Sequence, residues 1–459
     1  MTNKKYFGTD GIRGKVGVHP ITPDFMFKMG EAIGKFILNK NLKPVVVIGK
    51  DTRSSSFVIE SNLEAGLISS GVDIYLVGVL PSPAIAYLTE HLDAELGISI
   101  TASHNAFTDN GIKIFTSKGF KLLDAEELEI EKLIGQTDTI TKNKYLGKTE
   151  IINDAEKQYI EFCLDSITKN TDFNKLKIIL DCANGATYNV GPKIFNCICN
   201  NIITINNKPN GENINKNSGA CQVNNLQRFV IKEKADIGVA FDGDGDRVIM
   251  VDNKGEIIDG DELLFIMLNN LINKENYNGG LVGTIMSNLG LEVAAKKLGV
   301  DFIRTQVGDH FIAEKLREKN WTLGGEASGH IIDFSKSPTG DGILSALNIL
   351  QIATDANESL HQLKQNMKKF PQKTINIPYN GSKIDLQSHA MQDLVKNHEE
   401  TLKPHGRILL RYSGTEPLLR VMVEGENELE VTELADKLST KIHQKFAGNT
   451  NSQTTSKNV

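Results

Sequence analysis

Three times along the chain, a run of apolar residues typical of a buried β-strand ends in a short loop of small and polar residues. The loops span residues 101–105, 242–247 and 325–330. Strand-like runs and helical stretches alternate before each loop, which is the pattern of parallel α/β units, and the order of elements repeats at roughly 100 residues. Because parallel sheets bind ligands at the carboxyl ends of their strands, we expect the chemistry in these loops.

The repeated pattern predicts three similar α/β domains with mixed, mostly parallel sheets. A helix is also well marked at residues 22–38, with Thr22 as N-cap, Pro23 as the first helical residue and apolar residues along one face. The predicted strands are 45–49, 74–78 and 96–100 in the first domain, 177–181, 202–205 and 236–241 in the second, and 281–286, 301–304 and 322–325 in the third.

The chain changes character after Phe370 and Pro371, where the pattern predicts a smaller C-terminal α+β domain with strands at 407–411 and 418–423. From residue 448 the sequence is polar and has no apolar pattern, which predicts a disordered tail. The predicted boundaries are 1–155, 156–258, 259–371 and 372–447 for the four domains and 448–459 for the tail.

Composition excludes several classes of protein. Acidic residues outnumber basic ones by 57 to 51, and a dedicated nucleic-acid binder usually has a basic excess. No apolar run reaches the ~18–20 residues of a membrane span, and the polar N-terminus does not resemble a signal peptide. Five cysteines without a C-x-x-C pair fit reduced thiols. The composition therefore predicts a cytoplasmic protein with neither a membrane nor a nucleic-acid partner.

Asp242, Asp244 and Asp246 alternate with glycines directly after an apolar strand. A tight loop would bring the three carboxylates together, where they repel one another unless a cation lies between them. Oxygen ligands favour Mg²⁺ or Ca²⁺. An EF-hand is excluded because Arg247 occupies the sixth position, where glycine is required. The alternative is an exposed acidic turn, which the preceding apolar strand disfavours.

Ser103 follows the strand at 96–100, with His104 beside it. A serine just beyond a strand end is well placed to carry a transferring group, and a neighbouring histidine can orient or protonate that group. Lys113 falls on the strand that returns beside the serine, and its amine could act as acid or base if its pKa is lowered. The alternative is a plain turn. Arg53, after the first strand, either binds a ligand or braces its loop.

Two more polar clusters are suited to ligands. Glu326, Ser328 and His330 offer a carboxylate, a hydroxyl and an imidazole, which can hydrogen-bond a polyhydroxylated ligand. Residues 411–417 and Arg420 offer backbone N–H groups, hydroxyls and two guanidinium groups to an anion, although a simple hairpin turn remains the alternative. Two phosphate sites and one polyol site suggest a sugar that is phosphorylated at one end while its other end reacts.

Together these motifs resemble those of the α-D-phosphohexomutase superfamily, and most closely those of its bacterial members that act on amino sugars. The resemblance spans about residues 4–445 and implies four domains around a central cleft, each contributing one loop. The motifs that carry it are F-G-T-D-G-I-R-G at Phe7, T-A-S-H-N at Thr101, D-G-D-G-D-R at Asp242, G-E-A-S-G-H at Gly325 and R-Y-S-G-T-E-P-L-L-R at Arg411.

The resemblance also implies a role for each motif residue. Ser103 would be a phosphoserine and would bind one Mg²⁺ per subunit together with the three aspartates. Residues around the transferring phosphoryl group would be Arg13, His104, Lys113 and Arg247. Residues that bind the substrate would be Glu326, Ser328, His330, Arg411, Ser413, Gly414, Thr415 and Arg420.

The implied reaction interconverts D-glucosamine 6-phosphate and α-D-glucosamine 1-phosphate through a sugar 1,6-bisphosphate, and supplies UDP-N-acetylglucosamine synthesis. The bisphosphate, autophosphorylation or a kinase would phosphorylate Ser103, and the subunit would form a homodimer. Three alternatives remain open from the residues: the same chemistry on glucose or mannose phosphates, a Mg²⁺-dependent sugar phosphatase, and a non-catalytic sugar-phosphate sensor. The phosphatase signature D-x-D-x-T is not met, because Arg247 follows Asp246.

Overall fold

The computed structural model describes residues 4–136, 146–168, 171–273, 277, 279–379, 384–402, 406–412 and 417–444. The chain forms two compact units. The larger comprises residues 1–286 and 298–366, and the smaller comprises residues 287–297 and 367–459. The predicted tail at 448–459 lies outside the described residues.

The first sheet of the larger unit has six strands. They are β1 (Ile12–Lys15), β2 (Val45–Lys50), β3 (Asp73–Val79), β4 (Leu96–Ile100), β5 (Asp109–Thr116) and β6 (Thr149–Ile151). The order is β1-β5-β4-β2-β3-β6, with β4, β2, β3 and β6 parallel and β5 and β1 antiparallel to their neighbours. The helices of this part are α1 (Pro23–Asn39), α2 (Ser56–Ser69), α3 (Ser82–His91), α4 (Asp124–Leu133) and α5 (Ala155–Asp165).

Helix α1 confirms the predicted helix. It begins at Pro23, and the residues of its predicted apolar face are buried in the core beside the first sheet. The expected cap is only partly present, because Thr22 has the extended backbone of an N-cap but its side chain makes no capping hydrogen bond. The start of the helix therefore depends on proline at its first position and on burial of its apolar face.

The second sheet has five strands in the order β11-β10-β9-β7-β8. Its parallel strands are β7, β8 and β9, and β10 and β11 follow as antiparallel additions. The strands are β7 (Ile178–Asp181), β8 (Ile202–Ile205), β9 (Ile237–Phe241), β10 (Val248–Asp252) and β11 (Ile257–Ile258). The helices are α6 (Thr187–Ile198) and α7 (Asn224–Glu233).

The third sheet has four strands in the order β13-β12-β14-β15, of which only β15 is antiparallel to its neighbour. The strands are β12 (Leu281–Thr284), β13 (Phe302–Thr305), β14 (Leu323–Gly325) and β15 (Ile331–Asp333). The helices in this stretch of the sequence are α8 (Gly260–Asn273), α9 (Leu289–Lys297), α10 (Asp309–Lys319), α11 (Gly342–Ala356) and α12 (Leu360–Leu363). Of these, α9 belongs to the smaller unit.

The smaller unit contains an antiparallel sheet of three strands, in the order β16-β18-β17. Its strands are β16 (Gln372–Pro378), β17 (Gly406–Tyr412) and β18 (Leu418–Gly425), and its remaining helices are α13 (His389–Glu399) and α14 (Glu428–Ile442). Glu424 is buried there, where Arg407 Nε donates to its Oε2 at 2.6 Å and the N–H of Leu289 donates to its Oε1 at 2.9 Å. These contacts fix α9 to the sheet.

The fold class predicted from the sequence is confirmed: three α/β sheets of mixed direction precede a C-terminal α+β domain. The way in which the polar loops connect their strands was not predicted for all four sheets. Each polar loop joins a strand to the antiparallel strand that pairs with it, namely β4 to β5, β9 to β10, β14 to β15 and β17 to β18. In the three larger sheets the loops are therefore hairpin connections, and they lie where parallel pairing gives way to antiparallel pairing.

Candidate active site

Ser103 lies just beyond β4 with its side chain fully buried. Its backbone adopts a φ of +50°, and its N–H donates to Thr101 Oγ1 at 2.8 Å. This turn directs the hydroxyl toward the second sheet, where Oγ donates to Asp242 Oδ2 at 2.6 Å. His104 Nδ1 lies 3.3 Å from the same Oγ. The structure thus brings together three residues that the sequence analysis took from two distant motifs.

Asp242, Asp244 and Asp246 are buried, and one oxygen of each lies within 4.8 Å of the others. Burial, followed by the charges of its two neighbours, raises the pKa of Asp242 to about 8. Among the described residues, Asp244 Oδ1 and Asp246 Oδ1 have no hydrogen-bond donor. Buried carboxylate oxygens that repel one another and lack donors are the ligands of a hard cation, so this cluster fits a divalent metal ion.

Arg13 and Arg247 border the same carboxylates. Arg13 pairs through Nη2 with Asp10, and Arg247 Nε lies 3.8 Å from Asp246 Oδ1. In the part of the chain that the structure describes, the Nε of each arginine is buried and has no acceptor. Guanidinium groups with unused donors are well suited to phosphate oxygens, which accept two parallel hydrogen bonds.

His104 is held in its neutral form. Burial, followed by the positive charges of Arg247 and Arg13, lowers its pKa to about 4. A neutral imidazole has one donor and one acceptor nitrogen, so near pH 7 His104 can hydrogen-bond a phosphate or a hydroxyl without adding charge.

Lys113 lies on β5 and contacts three carboxylates. Its Nζ is 2.6 Å from Asp246, 2.7 Å from Asp244 and 3.2 Å from Asp10. Burial disfavours the charged amine, but the carboxylates outweigh burial and raise the pKa of Lys113 well above its usual value. Acid–base chemistry at Lys113 would require a lowered pKa, and the raised pKa does not meet this condition. Lys113 is an ammonium that neutralises the carboxylates.

Three charged residues that were not predicted as site residues, Asp10, Lys121 and Asp309, extend this network. Lys121 pairs with both Asp10 and Asp309, which are 111 and 188 residues away in sequence. His330 lies between two carboxylates, with Nε2 3.3 Å from Asp309 Oδ2 and Nδ1 3.7 Å from Asp246 Oδ2. With Lys113 the contacts close on themselves, and we call this set the charge ring. Its members in order are Asp10, Lys121, Asp309, His330, Asp246 and Lys113.

Three predicted site residues lie on the loop from β14 to β15. Glu326 and Ser328 contact each other, whereas His330 is buried apart from them. Glu326 Oε1 accepts a hydrogen bond from the N–H of Gly308 at 3.1 Å, and Ser328 Oγ donates to Glu326 Oε2 at 3.3 Å. Ser328 is exposed, so this pair is accessible to a ligand. His330 is buried; burial opposes its protonation, but the two carboxylates beside it raise its pKa. The geometry favours contact of His330 with the charge ring over its predicted contact with a sugar.

In the smaller unit, Arg411 on β17 lies opposite Arg420 on β18 in the antiparallel ladder. Like charges in this position destabilise a sheet. Burial, and then the charge of Arg420, lowers the pKa of Arg411. An anion bound by both arginines would remove the repulsion. The other predicted members of this cluster, Ser413, Gly414 and Thr415, lie outside the described residues.

A second group of possible metal ligands has a different character. Asp252, Glu256 and His361 offer atoms within 4.8 Å of one another. However, Lys364 Nζ lies 2.8 Å from Glu256 Oε2 and 3.5 Å from Asp252 Oδ2. Beside Lys113, Asp244 and Asp246 each keep a buried oxygen without a donor, whereas this second group has no such oxygen among the described residues, so we assign it as an ion-pair network with Lys364.

Comparison with known proteins places this arrangement in a family. Four domain models of the phosphoglucomutase/phosphomannomutase family match this chain. The model of alpha/beta/alpha domain I matches residues 4–141, that of domain II matches 157–255, that of domain III matches 259–370, and that of the C-terminal domain matches 374–441. A phosphoglucosamine mutase of Pseudomonas fluorescens (strain Pf0-1) is 49% identical over 437 residues, which are 95% of this chain and 98% of the relative.

Solved structures share the fold. A phosphoglucomutase/phosphomannomutase family protein of Burkholderia thailandensis is 21% identical with a TM-score of 0.79, covering 96% of this chain and 98% of that one. The N-acetylphosphoglucosamine mutase of Aspergillus fumigatus, in complex with GlcNAc-6P and magnesium, is 16% identical with a TM-score of 0.68, covering 96% of each chain.

The four matched domains and the near-complete coverage define a phosphohexomutase: the chain belongs to the phosphoglucomutase/phosphomannomutase family and is an isomerase. Within that family its extensive identity is with the bacterial phosphoglucosamine mutases. In the described part of the chain, each helix is either too short or too polar to cross a membrane.

Proposed function

We propose that the chain interconverts D-glucosamine 6-phosphate and α-D-glucosamine 1-phosphate by way of a phosphorylated Ser103. The observation that carries the proposal is the buried Ser103 Oγ, which lies 2.6 Å from Asp242 Oδ2 at the edge of the carboxylate cluster. The amino sugar is supported by the Pseudomonas relative, which is a phosphoglucosamine mutase.

The reaction starts from phosphoserine 103. The free hydroxyl of the sugar phosphate attacks the phosphorus, the bond from phosphorus to Ser103 Oγ breaks, and a sugar 1,6-bisphosphate forms. The proton that the sugar hydroxyl loses is balanced by the proton that Ser103 Oγ gains. After the bisphosphate turns end for end, its other phosphoryl group returns to Ser103 and the isomerised monophosphate leaves. Such transfers depend on positioning and on neutralisation of charge.

Each residue of the site then has a task. Arg13 and Arg247 bind the oxygens of the transferring group, and the neutral His104 hydrogen-bonds it. Glu326 and Ser328 bind sugar hydroxyls. The residues that bind the other phosphate of the substrate are Arg411, Ser413, Gly414, Thr415 and Arg420.

The metal ion in this proposal is Mg²⁺, held by Asp242, Asp244, Asp246 and an oxygen of phosphoserine 103. It would neutralise charge on the phosphoryl group. The unpaired carboxylate oxygens support the site, and the magnesium in the Aspergillus structure supports the choice of ion. The bisphosphate as activator, the homodimer, the cytoplasmic location and the four domain boundaries stay predictions.

Substitution of Ser103 tests the proposal. Ser103→Ala should lower kcat by about three orders of magnitude or more, because no other group in the proposal accepts the phosphoryl group. Intact mass should show one phosphoryl group on a fraction of the wild type and none at this position in the variant. Ser61→Ala, an exposed serine on α2, is the matched control and should keep full activity. Normal turnover by Ser103→Ala would rule out the phosphoserine.

A second candidate is the same reaction on glucose or mannose phosphates, which the names of the matching family models favour. The ratio of kcat/KM for glucosamine phosphates to kcat/KM for glucose and mannose phosphates decides between the two. A preference for the neutral sugars would replace the proposed substrate and leave the mechanism in place. Release of free phosphate at the rate of isomerisation would instead indicate a phosphatase.

A further inference from the structure

Two side chains from two different sheets bind the carbonyl groups of the serine loop, residues 101–109. The first is Arg53, which is fully buried and follows β2 in the same sheet as the loop. Its guanidinium donates to the carbonyls of Ser103 and Asn105 at 2.9 Å each, and its Nε is held by Asp51 at 2.8 Å. It also donates to the carbonyls of Ala106 and Asp109. Of the two roles predicted for Arg53, binding a ligand or bracing its loop, these contacts support the second.

The second side chain is Asn215, from the segment between β8 and α7 of the second sheet. Its Nδ2 donates to the carbonyl of Ser103 at 2.8 Å and to the carbonyl of Asn105 at 3.0 Å. One amide of the second sheet thus binds the same two carbonyls as Arg53. Because Arg53 and the loop belong to one sheet, Arg53 cannot fix the loop relative to the metal ligands, which follow β9 of the other sheet. Asn215 can.

Asn215 is itself fixed to the second sheet close to the metal loop, residues 242–247. Its backbone has a φ of +59°, which asparagine tolerates, and its N–H donates to the carbonyl of Ala183 at 2.8 Å. A methyl group added to Gly243 would lie 2.7 Å from Asn215 Nδ2 and closer still to the carbonyl of Ser103. The amide therefore lies against both loops, with no space between them.

We propose that Asn215 is a positioning residue that holds the serine loop at a set distance from the metal loop and so aligns phosphoserine 103 for transfer. The inference rests on the proposed function. Phosphoryl transfer requires the attacking oxygen, the phosphorus and the leaving oxygen to lie nearly in line, and a displacement of about 1 Å can cost about 10²-fold in rate. Asn215 touches no reacting atom, so it acts on kcat through the position of Ser103.

Two substitutions separate the effect of the Asn215 side-chain amide from the effect of its backbone conformation. Asn215→Asp keeps the size and the backbone preference but places an oxygen against the two carbonyl oxygens, and it should lower kcat by about 10²-fold. Asn215→Gly removes the amide at a φ that glycine tolerates, and it should lower kcat by about tenfold or more. KM should stay within about twofold in both, because neither variant alters a substrate contact.

A second readout distinguishes positioning from a general loss of structure. A misaligned phosphoserine should lose its phosphoryl group to water more often, so free phosphate released per isomerisation should rise in both variants. The matched control is Asn213→Ala. The hydrogen bonds that the structure describes for Asn213 all stay between residues 184 and 216 and involve Asn184, Lys208, Asn210 and Lys216. It should behave as the wild type in both assays.

The inference is overturned if Asn215→Gly and Asn215→Asp both keep kcat within about twofold of the wild type. It is also overturned if the loss appears in KM alone, or if kcat falls with no rise in phosphate release. If Asn215→Asp does not fold, Asn215→Gly carries the test. Ser103→Ala in the same series reports on the proposed function separately, because a failure there concerns the phosphoserine and not Asn215.

Discussion

Arg411 and Arg420 carry charges that oppose each other across two paired strands. The lowered pKa of Arg411 records the cost of keeping it charged beside its neighbour in a partly buried position. A sheet tolerates such a pair when binding of an anion repays the cost, which is a common compromise at binding sites. At the scale of residues, we therefore expect a C-terminal sheet that is more stable with phosphate than without it.

Inorganic phosphate should therefore slow hydrogen exchange in β17 and β18. Saturation at 100 times Kd stabilises a binding-competent state by about 2.7 kcal/mol, and exchange that requires local opening slows accordingly. Arg411→Gln should abolish the effect, because it removes one of the two cations. Lys373→Gln, an exposed residue on β16, is the control. Equal protection by phosphate in Arg411→Gln and in the wild type would contradict the prediction.

The sequence predicted the site residues that directly follow apolar strands better than those whose role depends on partners distant in sequence. Ser103 and the three aspartates follow apolar strands, so position alone predicted that they would lie at strand ends. Asn215 and Lys121 have no such signal, because their partners are about a hundred residues away or more and a local pattern does not encode which distant loop will approach. The pKa of Lys113 could not be predicted for the same reason: it depends on carboxylates from two other motifs.

Helix α11 shows a similar limit at the scale of elements. Most of its residues are buried, so no polar face marks it in the sequence. Its start is fixed by Asp341, whose Oδ1 accepts hydrogen bonds from the N–H groups of Ile343 and Leu344 at 2.9 and 3.0 Å. The hydroxyl of Tyr159, on α5, donates to Oδ2 at 2.8 Å. The cap therefore also connects two helices that are far apart in sequence.

Asp341→Ala should destabilise the larger unit more than the loss of an ordinary cap. The cap itself contributes about 1–2 kcal/mol, and the buried Tyr159 hydroxyl left without an acceptor adds about 1–3 kcal/mol. Urea unfolding measures the sum, and Tyr159→Phe should reduce the cost of Asp341→Ala when the two are combined. Ser359→Ala removes an exposed capping hydrogen bond of α12 in the same unit and gives the reference. A loss for Asp341→Ala no larger than this reference would contradict the prediction.

The whole larger unit depends on contacts between sheets that were predicted as separate domains. Ser82 Oγ and Ser103 Oγ, from the first sheet, each donate at 2.6 Å to a carboxylate of the metal loop. The repeated pattern of strands predicted the three sheets, because periodicity is local. It did not predict how the sheets meet, because that depends on single side chains such as these.

A divalent cation should consequently stabilise the larger unit as a whole. Mg²⁺ would neutralise carboxylates that repel one another, so the melting temperature of the wild type should rise with Mg²⁺ concentration and fall again with EDTA. Asp244→Asn should reduce the rise, since it removes one charged ligand. Asp172→Asn, an exposed aspartate elsewhere in the unit, is the control. An equal rise in Asp244→Asn and in the wild type would show that Mg²⁺ acts elsewhere.

The charge ring has a consequence that follows from its closed shape. In a linear series of contacts, the loss of one member separates the two ends. In a ring of six, the loss of any one member leaves the other five joined in a single path, so residues of at least two of the three sheets stay connected. Such redundancy means that the loss of one member should leave the sheets joined through the other five, whereas the loss of two opposite members divides the remaining four into two separate pairs. For the members without a proposed role in transfer, which are Asp10, Lys121 and Asp309, the closed shape therefore makes the connection between sheets less dependent on any one position.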